Sequence, residues 1–355
     1  MAPHRPARPR GSIRTGGVSV NGPRVTFVVT CHNYGRFLGQ SVESLLGQSL
    51  RAIEVIVVDD GSSDDTALVL RKWRDEPRVR VIRHPRALGH IQSLNEGLTL
   101  ARGEFVGLLA ADDFCIATDG VARQVSVFDA DPGVGFVYSA HWVVDASGRP
   151  FRINTPFDSD RVRDGLLEFA DLAFVNYVPH SGTLARRTCH EAFGHYDLSL
   201  PYSGDLEMWL RLSSRFRVGY IATPLYAYRV HASNMSHAGF SPRGATDDLL
   251  RTLRKSFDAL PASAPESLRR LRETALDHAL LKETWNDRSL GRTRRAWTGL
   301  ADATRRKPAL LRRSSFWGAF ARLSLLTALG HARYVRLAGW RGAPAGGAPL
   351  STRPR

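Results

Sequence analysis

The chain has 355 residues, of which 43% are hydrophobic and 23% charged. These proportions are typical of a globular protein that buries a substantial core in one large domain or two. The three cysteines are isolated, which argues against a disulfide framework or a zinc site and favours a reducing compartment. The sequence has no apolar run of ~18 residues and no apolar signal core, which favours a cytoplasmic protein.

The net charge of +15 is spread unevenly along the chain. Residues 1–24 hold five arginines and no acid, and residues 241–355 hold 23 basic and 9 acidic residues. Residues 25–240 hold 21 basic and 25 acidic residues, so the middle of the chain is mildly acidic. We therefore expect a disordered basic leader (1–23), a central domain (24–240), a helical basic region (241–342) and a disordered tail (343–355).

The first hundred residues of the central domain predict strands that alternate with helices. Short apolar runs predict strands at 25–30, 53–58, 79–82 and 105–109, and helical periodicity predicts helices at 37–46, 66–73 and 90–101. This alternation indicates βαβ units and a parallel sheet. The first, second and fourth strands each end in polar residues, which we expect at one edge of that sheet.

Beyond the fourth strand the pattern is less regular. It predicts helices at 121–128, 166–174 and 204–212, strands at 134–138, 218–222 and 225–230, and a turn at 145–148. From about 247 to 339 the pattern is helical, with breaks at Pro261, Pro265, Gly291, Pro308 and Gly330.

The adjacent acids Asp112 and Asp113 follow the fourth predicted strand. Ligands of open α/β sheets bind outside the carboxyl ends of the strands, and carboxylates there suit a divalent cation that also holds substrate phosphates. The alternative is that one of the two acids caps a helix. The glycine signatures of dinucleotide-binding enzymes and of P-loop NTPases are both absent from the sequence, which makes those two classes improbable.

Four segments together resemble one known family. They are Val25–Asn33 with the run 55–64, then 103–113, then 204–212, and last Tyr228–His231 with Asn234. In this order they are similar to the family 2 glycosyltransferases of GT-A fold, over about residues 24–240. The resemblance implies an α/β GT-A fold (Rossmann-like, with a mostly parallel sheet flanked by helices), here followed by a helical C-terminal extension.

The resemblance also implies roles for individual residues. It places Thr30, His32, Asn33 and Asp60 at the nucleotide, and Asp112 at a Mg²⁺ or Mn²⁺ ion. His231 would reach the metal or the diphosphate. The usual Leu-Asp-Ala-Asp-Asp of the family reads Leu-Ala-Ala-Asp-Asp here, so Ala110 replaces the first acid, and we expect altered donor affinity rather than an inert site.

By the same resemblance, Asp205 is the general base of an inverting sugar transfer. Glu207 lies two positions on, does not share its helix face, and is expected to be solvated or to support the site from behind. For the remaining residues a structural and a functional role both stay open: Asp59, Asp113, Arg229, His180 and Arg186.

The apolar and aromatic run 316–326 is flanked by arginines at 312, 313, 333 and 336. It suits a helix on an anionic membrane surface, and the alternative is a helix packed on the rest of the protein. We therefore expect a transferase with a nucleotide-diphosphate sugar as donor and a glycan or lipid-linked acceptor. The rival hypotheses are a catalytically impaired relative, suggested by Ala110, and a nucleic-acid-binding protein, which lacks a recognisable basic and aromatic module.

Overall fold

The computed structural model describes residues 22–234, 242–331 and 333–334. The chain divides into two compact units. The first comprises Met1–Val162, Pro179–His195 and Gly219–Arg229, and the second comprises Arg163–Val178, Tyr196–Val218 and Val230–Arg355. Most of the predicted leader, the predicted tail at 343–355 and Arg336 lie outside the described residues.

A mixed sheet forms the centre of the first unit. Its strands are β1 (Val25–Cys31), β2 (Ile53–Asp59), β3 (Val79–Arg83), β4 (Phe105–Ala110), β5 (Phe114–Cys115), β6 (Val134–Val144), β7 (Pro150–Asn154), β8 (Arg161–Arg163), β9 (Leu184–Arg186) and β10 (Arg217–Arg229). The helices of this unit are α1 (Gly35–Leu46), α2 (Thr66–Leu70) with a 3-10 turn at Arg71–Trp73, α3 (His90–Leu100), α4 (Gly120–Ala130) and α6 (Arg187–Phe193).

The strand order is β3-β2-β1-β4-β9-β6-β10-β5, with β7 beside β6 and β8 beside β10. The first four strands in this order pair in parallel, as the alternation of strands and helices predicts. From β9 onward the recorded pairings are antiparallel. The α/β class and the GT-A-like path are thus confirmed, whereas the recorded parallel pairs all lie within β1–β4.

Helices cover both faces of the parallel strands because both faces of these strands are apolar. Alternate residues of β1, including Phe27, pack into the same core as Leu38 and Leu45 of α1. On the opposite face α3 approaches β1 so closely that a Cβ on Gly97 would lie 2.3 Å from Cγ1 of Val28. A glycine is therefore required at the point where this helix crosses the strand.

The prediction of two strands at 218–222 and 225–230 was wrong, because β10 runs unbroken through Pro224. Proline has no N–H and normally ends a central strand. Just before it, the backbone N–H of Ala222 bonds to the side chain of Asp160 at 2.7 Å, so a side chain replaces a ladder partner here. The prediction also lacked β5, β8 and β9, which are short and pair with strands distant in sequence, and β7, which forms a hairpin with β6.

The second unit is helical. Its helices are α5 (Gly165–Leu172), α7 (Gly204–Ser213), α8 (Pro242–Asp258), α9 (Glu266–Ser289), α10 (Thr293–Arg306) and α11 (Ser314–Leu329), with a 3-10 turn at Pro308–Arg312. The predicted breaks delimit them: Pro265 caps α9, and Gly291 and Gly330 adopt positive φ after α9 and α11. The expected helical extension is thus confirmed. Within the described residues, none of the helices is both long and apolar enough to span a bilayer.

Candidate active site

The carboxyl ends of β1, β2 and β4 lie side by side, as the sequence predicts. In the strand pairing Cys31 lies opposite Asp59, and Thr30 lies opposite Ala110. The residues that follow these strands therefore occupy one edge of the sheet, where open α/β sheets bind ligands.

Asp60, which follows β2, is buried and holds the segment 84–89 in place. One of its carboxylate oxygens accepts the N–H of Leu88 at 2.7 Å, and the other accepts the N–H of Gly89 at 2.9 Å. Burial would raise the pKa of Asp60, but these bonds and one from His84 outweigh it and leave the pKa below its usual range. The carboxylate expected at the nucleotide base thus also shapes the loop before α3.

His84 lies between two carboxylates. Its ring nitrogens donate to Asp60 at 2.9 Å and to Glu96 at 2.7 Å. Burial opposes the charged form, yet the two carboxylates raise the pKa of His84 above its usual value. The sequence analysis did not single out His84. The available signal was its position directly after the third predicted strand, at the same edge as the other polar residues.

The turn after β1 is tied to the turn after β2. The Nδ1–H of His32 donates to the carbonyl oxygen of Asp60 at 2.7 Å, and the side-chain oxygen of Asn33 accepts the N–H of Ser63 at 2.8 Å. Asn33 has a φ of 60°, a left-handed conformation that asparagine adopts more readily than most residues. Thr30 Oγ1 lies 3.1 Å from Nδ1 of His90. Thr30, His32, Asn33 and Asp60 are therefore brought together.

Asp59 has a structural environment. Its side chain is fully buried and accepts the Ser62 N–H at 3.0 Å and the Arg83 Nε–H at 2.8 Å. This arrangement corresponds to the turn-forming alternative that the sequence left open.

Asp112 and Asp113 follow β4 and differ in their surroundings. The carboxylate of Asp113 accepts the backbone N–H of Arg229 at 2.8 Å and is also bonded to Ser181. Burial, followed by the charge of the adjacent Asp112, raises the pKa of Asp113 well above its usual range. Asp113 is therefore built into the fold, and the role of Asp112 as a metal ligand, which the family resemblance implies, stays a prediction.

A magnesium-type ion fits this donor set. Such an ion uses one or two protein carboxylates and completes its shell with water and substrate phosphates. Across the part of the chain that the structure describes, no three His, Cys, Asp or Glu side chains cluster as a self-sufficient metal cage. The Asp112 carboxylate therefore suits an ion that arrives with a phosphate-bearing substrate, rather than a permanent structural metal.

Arg229 holds the backbone of the Asp112–Asp113 turn. Its buried guanidinium donates to the carbonyl oxygen of Asp112 at 2.8 Å and to that of Ala146 at 3.0 Å, and it also bonds to Gln40. Its charged carbon lies 4.7 Å and 5.1 Å from the ring centres of Phe37 and Phe114. Of the two roles left open for Arg229, this geometry matches the structural one.

Arg186 lies opposite Phe105 at the start of β4, away from this edge, whereas His180 contacts His90, the neighbour of Thr30. Arg186 donates to the carbonyl oxygens of Val134 and Phe128, both at 2.9 Å, and so secures the edge of the core. The ring of His180 meets that of His90 edge to face at 5.6 Å. Burial lowers the pKa of His180 to about 4, so its imidazole is neutral near pH 7.

Asp205, Glu207 and His231 belong to the second unit. Asp205 lies in the first turn of α7, where its carboxylate accepts the N–H of Leu206 at 2.7 Å and the side-chain amide of Asn176 at 3.0 Å. Burial raises the pKa of Asp205 in spite of these bonds. A carboxylate with a raised pKa is a stronger base, which favours proton abstraction.

Glu207 is not solvated, contrary to one of the two expectations for it. Its carboxylate is buried and pairs with Arg211 and with Lys255, each at 2.9 Å. Two adjacent cations compensate the cost of burying this acid. The ring of His231 lies 3.0 Å from the hydroxyl of Ser233, and its backbone N–H bonds to the side chain of Asn234.

Comparison with known proteins identifies relatives in sequence and in fold. Residues 26–192 match the family model described as Glycosyl transferase family 2. The chain is 30% identical over 266 residues to the uncharacterised protein y4gI of Sinorhizobium fredii, covering 71% of this chain and 28% of that protein. It therefore spans less than a third of the length of this relative.

Two further relatives are covered over most of their length. Glycosyltransferase GlyG of Streptococcus pneumoniae is 24% identical over 70% of this chain and 84% of its own. WfaP of Escherichia coli, a UDP-Glc:alpha-D-GlcNAc-diphosphoundecaprenol beta-1,3-glucosyltransferase, is 26% identical over 64% of this chain and 86% of its own.

Solved structures show the same fold. TarS of Staphylococcus aureus, residues 1–349 in complex with UDP-GlcNAc, aligns with a TM-score of 0.63 and 16% identity over 88% of each chain. The mannosyltransferase PcManGT of Pyrobaculum calidifontis, in complex with GDP-Man and Mn²⁺, aligns with a TM-score of 0.54 and 18% identity, over 90% of this chain and 87% of its own.

Proposed function

We propose that the chain is an inverting, metal-dependent member of glycosyltransferase family 2, which moves a sugar from a nucleotide-diphosphate sugar to an acceptor hydroxyl. The observation that carries this proposal is the Asp112–Asp113 pair at the carboxyl end of β4, beside the end of β1. We assign residues 24–240 as the catalytic domain.

The donor binds, in this proposal, at the sheet edge formed by the ends of β1, β2 and β4. Thr30, His32, Asn33 and Asp60 contact the nucleoside, and Asp112 is a ligand of the divalent metal. When bound, Mg²⁺ or Mn²⁺ supplies positive charge that stabilises the departing diphosphate. His231 stays a proposal for a contact to the metal or the diphosphate. Arg229 and Asp113 keep the Asp112 turn in a fixed position before the donor arrives, which lowers the cost of binding.

Asp205 is the proposed general base. It takes the proton of the acceptor hydroxyl as that oxygen forms a bond to the anomeric carbon. The bond from the sugar to the diphosphate breaks with inversion, and its electron pair leaves with the nucleoside diphosphate. Asn176 and the N–H of Leu206 hold the carboxylate of Asp205 in one orientation. Two carboxylate oxygens have about four lone-pair sites, so these bonds leave capacity for a proton.

The relatives favour a hexose donor and a glycan acceptor. Their names specify UDP-Glc with a diphosphoundecaprenol-linked GlcNAc acceptor, UDP-GlcNAc and GDP-Man. For this chain we propose a nucleotide-diphosphate hexose as donor and a hydroxyl of a lipid-linked or other cell-surface glycan precursor as acceptor.

The alternative is a relative that binds nucleotide sugars without turning them over. Ala110, at the end of β4, stands where the family usually has the first acid of its metal motif, and this substitution is what favours the alternative. A donor screen separates the two hypotheses: the protein is incubated with Mn²⁺ and UDP-Glc, UDP-GlcNAc or GDP-Man, and nucleoside diphosphate release is measured with and without excess chelator. Binding of a donor without release would support the alternative.

The base assignment has its own test. Asp205→Asn keeps the size of the side chain but cannot accept a proton near neutral pH, so transfer should fall at least about a hundredfold while donor affinity changes little. Asp258→Asn, at an exposed acid of the same unit, serves as the matched control. Glu207→Gln should retain far more transfer per folded molecule, because Glu207 is engaged with Arg211 and Lys255. Near-parental transfer by Asp205→Asn would mean that another group is the base.

A further inference from the structure

Helix α11 is apolar on two opposite faces. Phe316, Ala319, Leu323 and Leu326 are buried and fasten the helix to the second unit. Trp317 and Leu325 point the other way and are 54% and 45% exposed. A helix on the surface of a water-soluble domain normally carries polar residues on the face opposite its buried one. The packed alternative therefore describes one face of α11, whereas about half of the surface of Trp317 and Leu325 on the other face is exposed.

Four partly exposed residues form an aromatic patch, which we define as Leu311, Trp317, Phe320 and Leu325. Phe320 also meets the ring of Trp297 edge to face at 5.3 Å. The rings of Trp317 and Phe320 meet edge to face at 5.7 Å. The indole N–H of Trp317 donates to the carbonyl oxygen of Leu311 at 2.9 Å. This bond satisfies the polar atom of the tryptophan, so the patch presents apolar surface without an unmet donor.

The surroundings of the aromatic patch are positively charged. Residues 303–355 contain eleven arginines and lysines and not one aspartate or glutamate. Arg312, Arg322 and Arg333 are exposed on or beside α11, and Arg313 is paired with Asp277 at 3.2 Å. The patch is thus an apolar surface on a helix that also carries, or is flanked by, exposed arginines.

We propose that the aromatic patch docks onto the surface of an anionic lipid bilayer. Aromatic and leucine side chains enter the boundary between headgroups and acyl chains, and the flanking arginines attract anionic headgroups. A second copy of the chain is a poorer occupant, because a symmetric contact through this face would bring like charges together. The inference goes beyond sugar transfer and does not depend on it, since binding to vesicles needs neither donor nor acceptor.

The test uses the full chain and sedimentation with vesicles. Phosphatidylcholine vesicles that also contain phosphatidylglycerol should bind the protein more tightly than phosphatidylcholine alone, and added salt should weaken this binding. Trp317→Ser combined with Leu325→Ser should lower the partition coefficient at least about tenfold. Arg322→Gln should lower it about fivefold on anionic vesicles and little on neutral ones.

A matched control removes exposed apolar side chains elsewhere. Leu68 and Leu198 are 63% and 62% exposed, and Leu68→Ser with Leu198→Ser should leave vesicle binding unchanged. Point substitutions are preferable to deletion of α11, whose buried face belongs to the core. Equal binding by the parent and the Trp317/Leu325 variant would overturn the proposal. The proposal would also be overturned if the parent did not bind vesicles but self-associated, and the Trp317/Leu325 variant did not self-associate. That result would identify a second copy of the chain as the occupant of the patch.

Discussion

Replacement of Arg229 should destabilise the first unit and weaken donor binding together. The side chain is 2% exposed and makes three hydrogen bonds, to the carbonyl oxygens of Asp112 and Ala146 and to the side chain of Gln40. At about 1 kcal/mol for each bond, and about 0.5 kcal/mol for each of the two aromatic rings beside the guanidinium, Arg229→Ala should lower the free energy of unfolding by about 4 kcal/mol.

Arg229→Lys tests the geometry of the guanidinium separately from its charge. One ammonium group cannot reproduce three bonds that diverge from a planar fork, so we expect a loss of about 2 kcal/mol. Because the carbonyl oxygen of Asp112 then lacks its anchor, affinity for a nucleoside diphosphate with Mn²⁺ should fall as well. Unfolding by urea, followed by circular dichroism, gives the first quantity, and calorimetric titration gives the second.

Arg80, an exposed arginine in β3, is the matched control, and Arg80→Ala should change stability by less than about 0.5 kcal/mol. The reasoning is refuted if Arg229→Ala is as stable as Arg80→Ala. It is also refuted if Arg229→Lys unfolds like the parent, since the fork geometry would then contribute nothing.

Three more outcomes are expected. Excess chelator should abolish transfer and added Mg²⁺ or Mn²⁺ should restore it; full turnover in chelator would exclude a metal role for Asp112. Gly97→Ala should destabilise the protein by about 1–3 kcal/mol in urea unfolding, because the new methyl would lie against Val28. Burial opposes ionisation of Asp197, but bonds from Lys255 and Ser199 lower its pKa to about 2. An acid whose pKa is lower in the folded state stabilises the fold at any pH above its unfolded-state pKa, and this stabilisation is lost as the acid is protonated. Between about pH 4 and pH 2 the parent should therefore lose more stability than Asp197→Asn.

The parts of the fold that sequence could predict are those set by local patterns. The strands β1, β2 and β4 are continuous apolar runs, and α1 has leucine and valine at helical spacing, so each was predicted within two residues. Their order then placed the polar residues Thr30, Asp60 and Asp112 at one edge of the sheet. The breaks between the C-terminal helices were equally local, because proline and glycine mark them.

What sequence could not predict depends on distant partners. The three residues of β9 have no strand signal of their own and are ordered because β4 and β6 lie on either side. The hydrogen bonds from the N–H groups of Leu88 and Gly89 to the carboxylate of Asp60 have no local sequence signature either, because they span 28 and 29 residues. The burial of Arg229 between Phe37 and Phe114 likewise joins three separate parts of the chain.

The candidate site contains two pairs of adjacent acids, Asp59 with Asp60 and Asp112 with Asp113, and burial constrains the role that each member of a pair can have. Two adjacent acids cannot both be buried and ionised cheaply, so at least one needs internal donors. Asp59 receives them from Ser62 and Arg83, and Asp113 from Ser181 and Arg229.

The two acids of α7, Asp205 and Glu207, also differ in their hydrogen-bond and ion-pair partners. Glu207 is paired with Arg211 and Lys255, whereas among the described residues Asp205 accepts hydrogen bonds from the neutral N–H groups of Leu206 and Asn176. Both carboxylate oxygens of Glu207 are engaged with a cation, Oε2 with Arg211 and Oε1 with Lys255. Desolvation raises the pKa of Asp205, although the bonds from Leu206 and Asn176 and the charge of Lys282 act to lower it. This contrast, rather than position in the motif alone, is the physical reason to assign proton abstraction to Asp205.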